Sequence, residues 1–530
     1  MTLNNIYKPY ARACMAAAIL GHYTMAHATP LPAELVDMSL QQLANIEVTT
    51  VSKRPQPLSN AAASVFVITS DDIRRSGATS LPEALRLAPN LEVARDNARN
   101  YAISARGGNG IFANKMLVLI DGRSVYTPLF SGVFWDAQDV VLEDIDRIEV
   151  ISGANTTVWG ANAVNGVINV ITRSSAATQG GLVVAGGSNQ ENVGVVRYGG
   201  ELPNGGHYRV YGKHDQTDDS EFDNGNSVED GFRRNQAGFR ADWDAAGGGV
   251  TLQGDAYDGT LGPLNQLHTG DIAISGANLL GRFSKHLAEH SDISLQAYID
   301  QTTRDQPGAF IEHLTNVDLE LKHTLQLAEI HNVIWGAGYR ISFDRLKNDM
   351  NFAFLPESKN LFRTNVFAQD EIALRPNLRL TLGLKFDNNN YTGTETLPNV
   401  RLAWNPTADQ LLWGSVSRAI REPSRIDRDF FSPTNPPVVG GVPLYFVAGG
   451  DDFDSEVVNT YELGYRAQPL PNISYSVTAF YSEYDDLRTL SPNPVGFGFV
   501  FDNQATGTTH GVEMWGRWQA TEDLRFTGGL

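Results

Sequence analysis

Cysteine is almost missing from this sequence: Cys14 is the one thiol in 530 residues. Its surroundings remove even that one. Lys8 and Arg12 precede the apolar run "ACMAAAIL", and "AHA" at residues 26–28 has the small-x-small form of a cleavage site, so residues 1–28 read as an export signal. An exported chain with no cysteine left excludes a disulfide scaffold, a thiol nucleophile and a cysteine-ligated zinc site. Long apolar runs are missing too. The longest after the N-terminus is "MLVLI", residues 116–120, far short of the roughly 20 residues of a spanning helix. Positive charge is scarce: 41 Lys and Arg face 60 Asp and Glu, a formal charge of −19, and losing Lys8 and Arg12 with no acid takes it to −21. That balance excludes a nucleic-acid binder.

What is present is glycine, aromatics and alternation. The chain holds 50 Gly, 18 Tyr, 24 Phe and 8 Trp, too much turn and ring content for a helical bundle. After a short amphipathic stretch, "IEVTTVSKRPQPLSNAAA" begins β-branched and dissolves into Pro, Ser and Asn, as an exposed extended segment and linker would. Residues 64–175 read as a compact α+β unit: a strand at "SVFVITS", a helix at "DDIRRSG" begun by an Asp cap and stopped by Gly77, a second capped turn, and strands at "LEVAR", "YAISARG", "KMLVLIDGR", "DRIEVISG" and "NGVINVITR". From about residue 176 the pattern becomes segments of roughly ten residues alternating apolar and polar, with turns short at one end and long at the other. In "NLRLTLGLKFD", Leu378, Leu380, Leu382, Leu384 and Phe386 share one face and Arg379, Thr381, Gly383, Lys385 and Asp387 the other. Greasy on one face and polar on the other, such strands suit a barrel with lipid outside and a wet lumen; a half-solvated soluble sheet is the alternative.

Motifs that carry chemistry elsewhere fail on context. "HLAEH" at residues 286–290 has the H-x-x-E-H form of a zinc peptidase but sits between alternating strands, where its histidines do not stack on a helix. Asp219, Glu221, Asp223 and Asp230 mimic a calcium loop, yet the glycine is one place late and the last ligand too short. "GGNG" at residues 107–110 has no βαβ frame, and no Ser, His and acid set reads as a triad. No catalytic residue, resident metal or cofactor is expected, and the chain does not read as an enzyme.

"DRIEVISGANTTVWGANAVNGVINVITR" resembles the end of the plug domain of TonB-dependent outer-membrane receptors, and "ISARGGNGIFANKMLVLIDGRSVY" is similar to an earlier element of that plug. "LFRTNVFAQDEIALRPNLRLTLGLKFD", "SVSRAIREPS" and "NTYELGYRA" resemble barrel motifs of the same family, so the likeness covers nearly the whole mature chain. It implies a transmembrane antiparallel β-barrel with an N-terminal α+β plug in its lumen, in a Gram-negative outer membrane. The expected organisation is a signal peptide at 1–28, a periplasmic segment and linker at 29–63, the plug at 64–175 and the barrel at 176–530. Because 176–530 holds about 14 to 16 strands of ten residues plus loops and the family's barrel has 22, the chain is expected to be C-terminally incomplete.

The resemblance also assigns roles. Ile46, Glu47, Val48, Thr49, Thr50 and Val51 are expected to be a TonB box, the strand that adds to a sheet edge of periplasmic TonB, which draws on ExbB, ExbD and the proton motive force. Arg106 and Arg147 of the plug are expected to pair with wall glutamates, Glu462 foremost and Glu422 second. The family's usual Arg-Gly-Pro is here Ser152, Gly153 and Ala154, which removes one customary ionic contact. Arg95, Arg99, Tyr101, Tyr126 and Phe130 are the candidate ligand contacts, since cations and rings suit an anionic iron chelate. The implied function is energy-coupled uptake of a scarce ligand by a monomer, with a ferric siderophore of catecholate type first. Cobalamin or a carbohydrate by the same route, or a passive porin, are the alternatives.

Overall fold

The computed structural model describes residues 46–530 apart from Asn189, Ala246, residues 264–268, Val495 and residues 522–523. The expected export signal and the amphipathic stretch before Ile46 lie outside the described residues.

The plug is built on a five-stranded sheet in the order Ser64–Thr69, Ile145–Ser152, Gly166–Thr172, Met116–Ile120, Arg123–Ser124. Met116–Ile120 runs parallel to Gly166–Thr172 and the other neighbours are antiparallel. Near-continuous apolar runs are needed because the sheet is covered on both faces, and Val65, Ile68, Ile148, Val150, Val167 and Ile168 are all buried. The helix Ser70–Ser76 is capped differently from the sequence expectation. Thr69, not an aspartate, is the N-cap, in a capping box with Asp72, while Gly77 at φ 71° ends the helix as expected.

The wall is one sheet of twenty strands, three of which (Ala353–Phe354, Phe430–Ser432, Val447–Ala448) are two- or three-residue pieces in its outer connections. The other seventeen exceed the 14 to 16 anticipated, because turns at one end shrink to as little as the two residues between Leu470 and Ile473. The order runs from Gly180–Gly187 to Arg525–Gly529, and these two strands are not paired with each other among the described residues. Alternation holds as read: in Leu378–Asn389, Leu382, Leu384 and Phe386 are exposed to the lipid side while Thr381, Lys385 and Asp387 are buried in the lumen. "HLAEH" leaves the strand Ile272–Ala288 into a hairpin turn, with His286 bonded to Asp292.

Short turns mark the periplasmic end and long connections the outer end. The acidic connection after Thr217 folds on itself and onto the plug: Asp219 accepts from Gly231 N, and the buried Asp230 accepts from Ser220 N and from Ala98 N of the plug at 2.8 Å.

Candidate functional site

Residues 46–51 do not hang free. Glu47–Val48 pairs antiparallel with Gln56–Pro57, and Val48, Thr50 and Val51 are buried, the two valines against Ala61, Val65, Val67 and Ile151. The exposed strand expected from sequence is therefore parked on the plug, because its β-branched side chains find an apolar patch of the plug sheet. Its backbone is held by side chains. The Glu149 carboxylate accepts from Thr49 N at 2.9 Å and Thr50 N at 2.7 Å, and Thr50 O accepts from Asn155 and from the Trp159 indole at 2.6 Å. Glu149 is itself completely buried and charge-balanced by Arg147 Nε at 2.9 Å.

The following linker is gripped by the wall. Lys53 meets Glu320 at 2.5 Å and Arg54 meets Glu371 at 3.2 Å. Arg466 of the strand Glu456–Leu470 donates to the carbonyls of Leu58, Ala61 and Ala63 at 2.7 to 2.9 Å.

On the opposite side of the plug sheet Arg106, at φ 57°, reaches the wall. Its Nη2 donates to Glu462 at 2.7 Å, its Nε to Glu513 at 3.0 Å, and its guanidinium lies 4.2 Å from the Phe480 ring centre. Burial disfavours the charge on Arg106, but Glu462 and Glu513 override that and hold its pKa above the usual arginine value. Gly153 fits only as glycine: at φ 93°, a Cβ would sit 2.4 Å from Glu462 Oε1 and 2.7 Å from Arg106 Nη1.

Arg106 and Glu462 are thus brought together as the resemblance implied, while the other two lock residues are not. Arg147 bonds Glu149 and Asp146 inside the plug, because its strand runs beside the parked segment and not along the wall. Glu422 pairs with Arg363 of the wall at 3.4 Å. Glu513 was missed. Its one signal was a polar place in an alternating strand, which says "lumen" but names no partner 407 residues away.

Further ion pairs ring the plug. Arg304 binds both oxygens of Asp136 at 2.8 and 3.0 Å, Arg234 and Lys213 share Asp139, and Arg123 meets Asp300 at 2.9 Å. Burial would raise the Asp136 and Asp139 carboxyls, yet Arg304 for the first and Lys213 with Arg234 for the second keep both below the ordinary value of 3.8. The stretch after Gly153 braces the same interface: Thr156 Oγ1 donates to Arg418 O at 2.7 Å and Asn162 N to Ile420 O at 2.8 Å.

The five ligand candidates are mostly packed inward. Arg95, Arg99 and Tyr101 share a cavity of about 50 Å³, room for little beyond water. Arg95 is spent on Glu191 at 2.6 Å, Tyr101 on Glu83 at 2.8 Å, and Arg99 on Gly262 O, with burial lowering the Arg99 pKa to about 10. Tyr126 is buried with its hydroxyl on Asn114 O, and Phe130 is sandwiched between Phe112 and Phe134. The large apolar side chains that the plug leaves exposed are instead on the turn after Gly110, where Ile111 is 40% and Phe112 58% exposed.

A lipid-facing antiparallel barrel with a folded domain pinned in its lumen is the architecture of a gated outer-membrane receptor. The chain belongs to the TonB-dependent receptor family: residues 175–530 match its "TonB dependent receptor-like, beta-barrel" model and residues 57–167 its "TonB-dependent Receptor Plug Domain" model. This places it in the outer membrane of a Gram-negative bacterium, in a family of transporters and receptors. It is 25% identical over 496 residues to the iron-regulated outer membrane virulence protein of Vibrio cholerae serotype O1, covering 86% of this chain and 71% of that one. It is 32% identical over 174 residues to the vitamin B12 transporter BtuB of Vibrio vulnificus, covering 32% of this chain and 28% of that one. In fold it is similar to the ferric enterobactin receptor of Pseudomonas aeruginosa, with a TM-score of 0.72 at 17% identity over 91% of this chain and 81% of that one.

Proposed function

We propose that this receptor carries a ferric siderophore across the outer membrane as a monomer, and that TonB, energised through ExbB and ExbD, drives the step by adding residues 46–51 to its own sheet. The parked segment carries this reading. Its strand is paired for only two residues, at Glu47–Val48, and much of the rest is held by Glu149 and other plug side chains, so a partner sheet offers it a better ladder. Pulling it draws directly on Glu149 in the plug strand that ends beside Gly153 and the Arg106 pairs. Iron as the cargo is supported by the relative that aligns with 86% of the chain; vitamin B12 transporters align with less of it, 32% for that of Vibrio vulnificus and 66% for that of Photobacterium profundum. Growth under iron limitation, with and without residues 46–51, on a panel of ferric siderophores tests both halves. Growth on one chelate, lost with the deletion, is the expected result. Rescue only by cobalamin or a sugar reassigns the cargo, and uptake indifferent to the deletion leaves a passive pore.

A further inference from the structure

A cavity of about 330 Å³ lies between the plug and the wall strands that run from Ile272–Ala288 to Leu378–Asn389. Its lining carries seven cationic side chains against three carboxylates. The carboxylates are all engaged: Glu320 by Lys53, Asp318 by Arg340 at 2.8 Å, and Asp121 by the backbone and hydroxyl of Thr172. Two more cations are satisfied, Arg147 by Glu149 and Arg363 between Asp387 and Glu422.

Arg282, Lys322 and Lys385 remain, and none has a carboxylate within ion-pair distance among the described residues. Arg282 donates to Gln296 and to the Asp121 carbonyl, and Lys322 donates to the Lys53 carbonyl at 3.0 Å. Lys385 is 2% exposed and its ammonium has no hydrogen bond among the described residues; it lies 5.2 Å from the Phe367 ring centre, and the carboxylates that act on its charge, Asp387 and Glu320, are paired with Arg363 and Lys53. Gly160, at φ 87°, lets the backbone pass close to this group, since a Cβ there would come 2.7 Å from Asp387 Oδ2 and 3.1 Å from Lys385 Nζ. A buried ammonium without a counter-charge is costly unless something else supplies one.

We propose that this cavity is a binding station for a compact oxyanion of two or more charges, of polycarboxylate or phosphate chemistry, held by Lys385, Lys322 and Arg282. The volume is at the lower end for small-molecule sites, which suits a ligand of that size. Lys53 makes the station releasable. It lies two residues beyond Val51, stacked 4.6 Å over Trp159 at the cavity wall. Resting on the energy-coupled reading above, withdrawal of residues 46–53 takes one cation out of the lining and frees the Glu320 carboxylate to repel the anion, so affinity falls as the periplasmic side opens.

The test is equilibrium dialysis of the detergent-purified full chain, free of iron and TonB, against radiolabelled citrate and inorganic phosphate in separate arms at fixed ionic strength. One-to-one binding of at least one anion is expected, with affinity reduced at least tenfold in Lys385→Met and several-fold in Lys53→Gln. Lys385→Met keeps the side-chain length and removes an unpaired charge, so its thermal transition should match or exceed that of the parent; Lys322→Gln serves as a second variant. Absence of stoichiometric binding of both anions, or equal affinity in Lys385→Met and Lys322→Gln, overturns the station, and unchanged affinity in Lys53→Gln overturns the release step. Because the assay contains no energy source, its failure leaves the uptake reading standing, and failure of uptake with binding intact counts against coupling alone.

Discussion

At the residue scale, the plug is pinned by charges that have no water to fall back on. Arg106 bridges two wall carboxylates with a side chain only 2% exposed, so Arg106→Ala removes the cation that both Glu462 and Glu513 contact. Removing one partner of such a set costs about 3–5 kcal/mol. Calorimetry of the purified protein should show the plug's unfolding transition moved down accordingly, with Arg106→Lys intermediate; a change in Arg106→Ala within error of zero would deny the pairs any holding role. Asp136 gives a pH signature. Its folded pKa lies below its unfolded one, so its contribution is complete above about pH 4 and is lost as pH falls through the folded value. The stability gap between the parent and Asp136→Asn should be constant from pH 5 to 7 and begin to narrow as pH falls below about 4; a gap that does not narrow with falling pH contradicts the Arg304 pair as its source. Arg106 and Glu462 were legible because each sits in a quoted motif. Glu513 and Asp136 were not, since alternation tells which way a residue points and not what a folded domain will place opposite it.

At the element scale, the segment at residues 46–51 is the clearest divergence between pattern and structure. Its β-branched composition marks a strand that the structure holds only at Glu47–Val48, the chain turning from Thr50 on. What the pattern lacks is the second surface: the apolar patch of Val65, Val67 and Ile151, and a buried glutamate 99 residues on from Thr50. On the proposed function the segment is in storage, with Glu149 as its catch. Charge-assisted hydrogen bonds contribute roughly 1.5–3 kcal/mol, so Glu149→Ala should speed hydrogen exchange at the Thr49 and Thr50 amides by about 10- to 100-fold. Exchange at the parent rate would mean that the apolar contacts alone keep the segment down. The turn bearing Phe112 went unnoticed for a similar reason. Cations and tyrosines look like ligand groups in a sequence, and the folded chain spends Arg95, Arg99 and Tyr101 on its own interfaces.

At the scale of the whole molecule, the two-faced strands, the plug and the family were all legible, because a lipid-facing wall and a wet lumen impose a period of two along every strand. Strand number was less so, since strand length is set by how far hairpins project beyond the membrane and the longest here reach 20 and 21 residues. Cargo is least legible, because outer connections and plug apex vary freely over a constant frame. The central claim is that the frame does work only when the stored strand is pulled. Glu47 is the place to test it: its side chain is exposed and its cross-strand neighbour is Pro57, so Glu47→Pro should leave the plug intact while denying a partner sheet one ladder hydrogen bond and a straight edge. The measurement is accumulation of radioactive iron from the chelate that supports growth, in cells carrying the parent or Glu47→Pro, with surface binding recorded alongside. Energy coupling through this strand predicts unchanged binding and accumulation reduced to the level of cells without TonB; accumulation at the parental rate would contradict it.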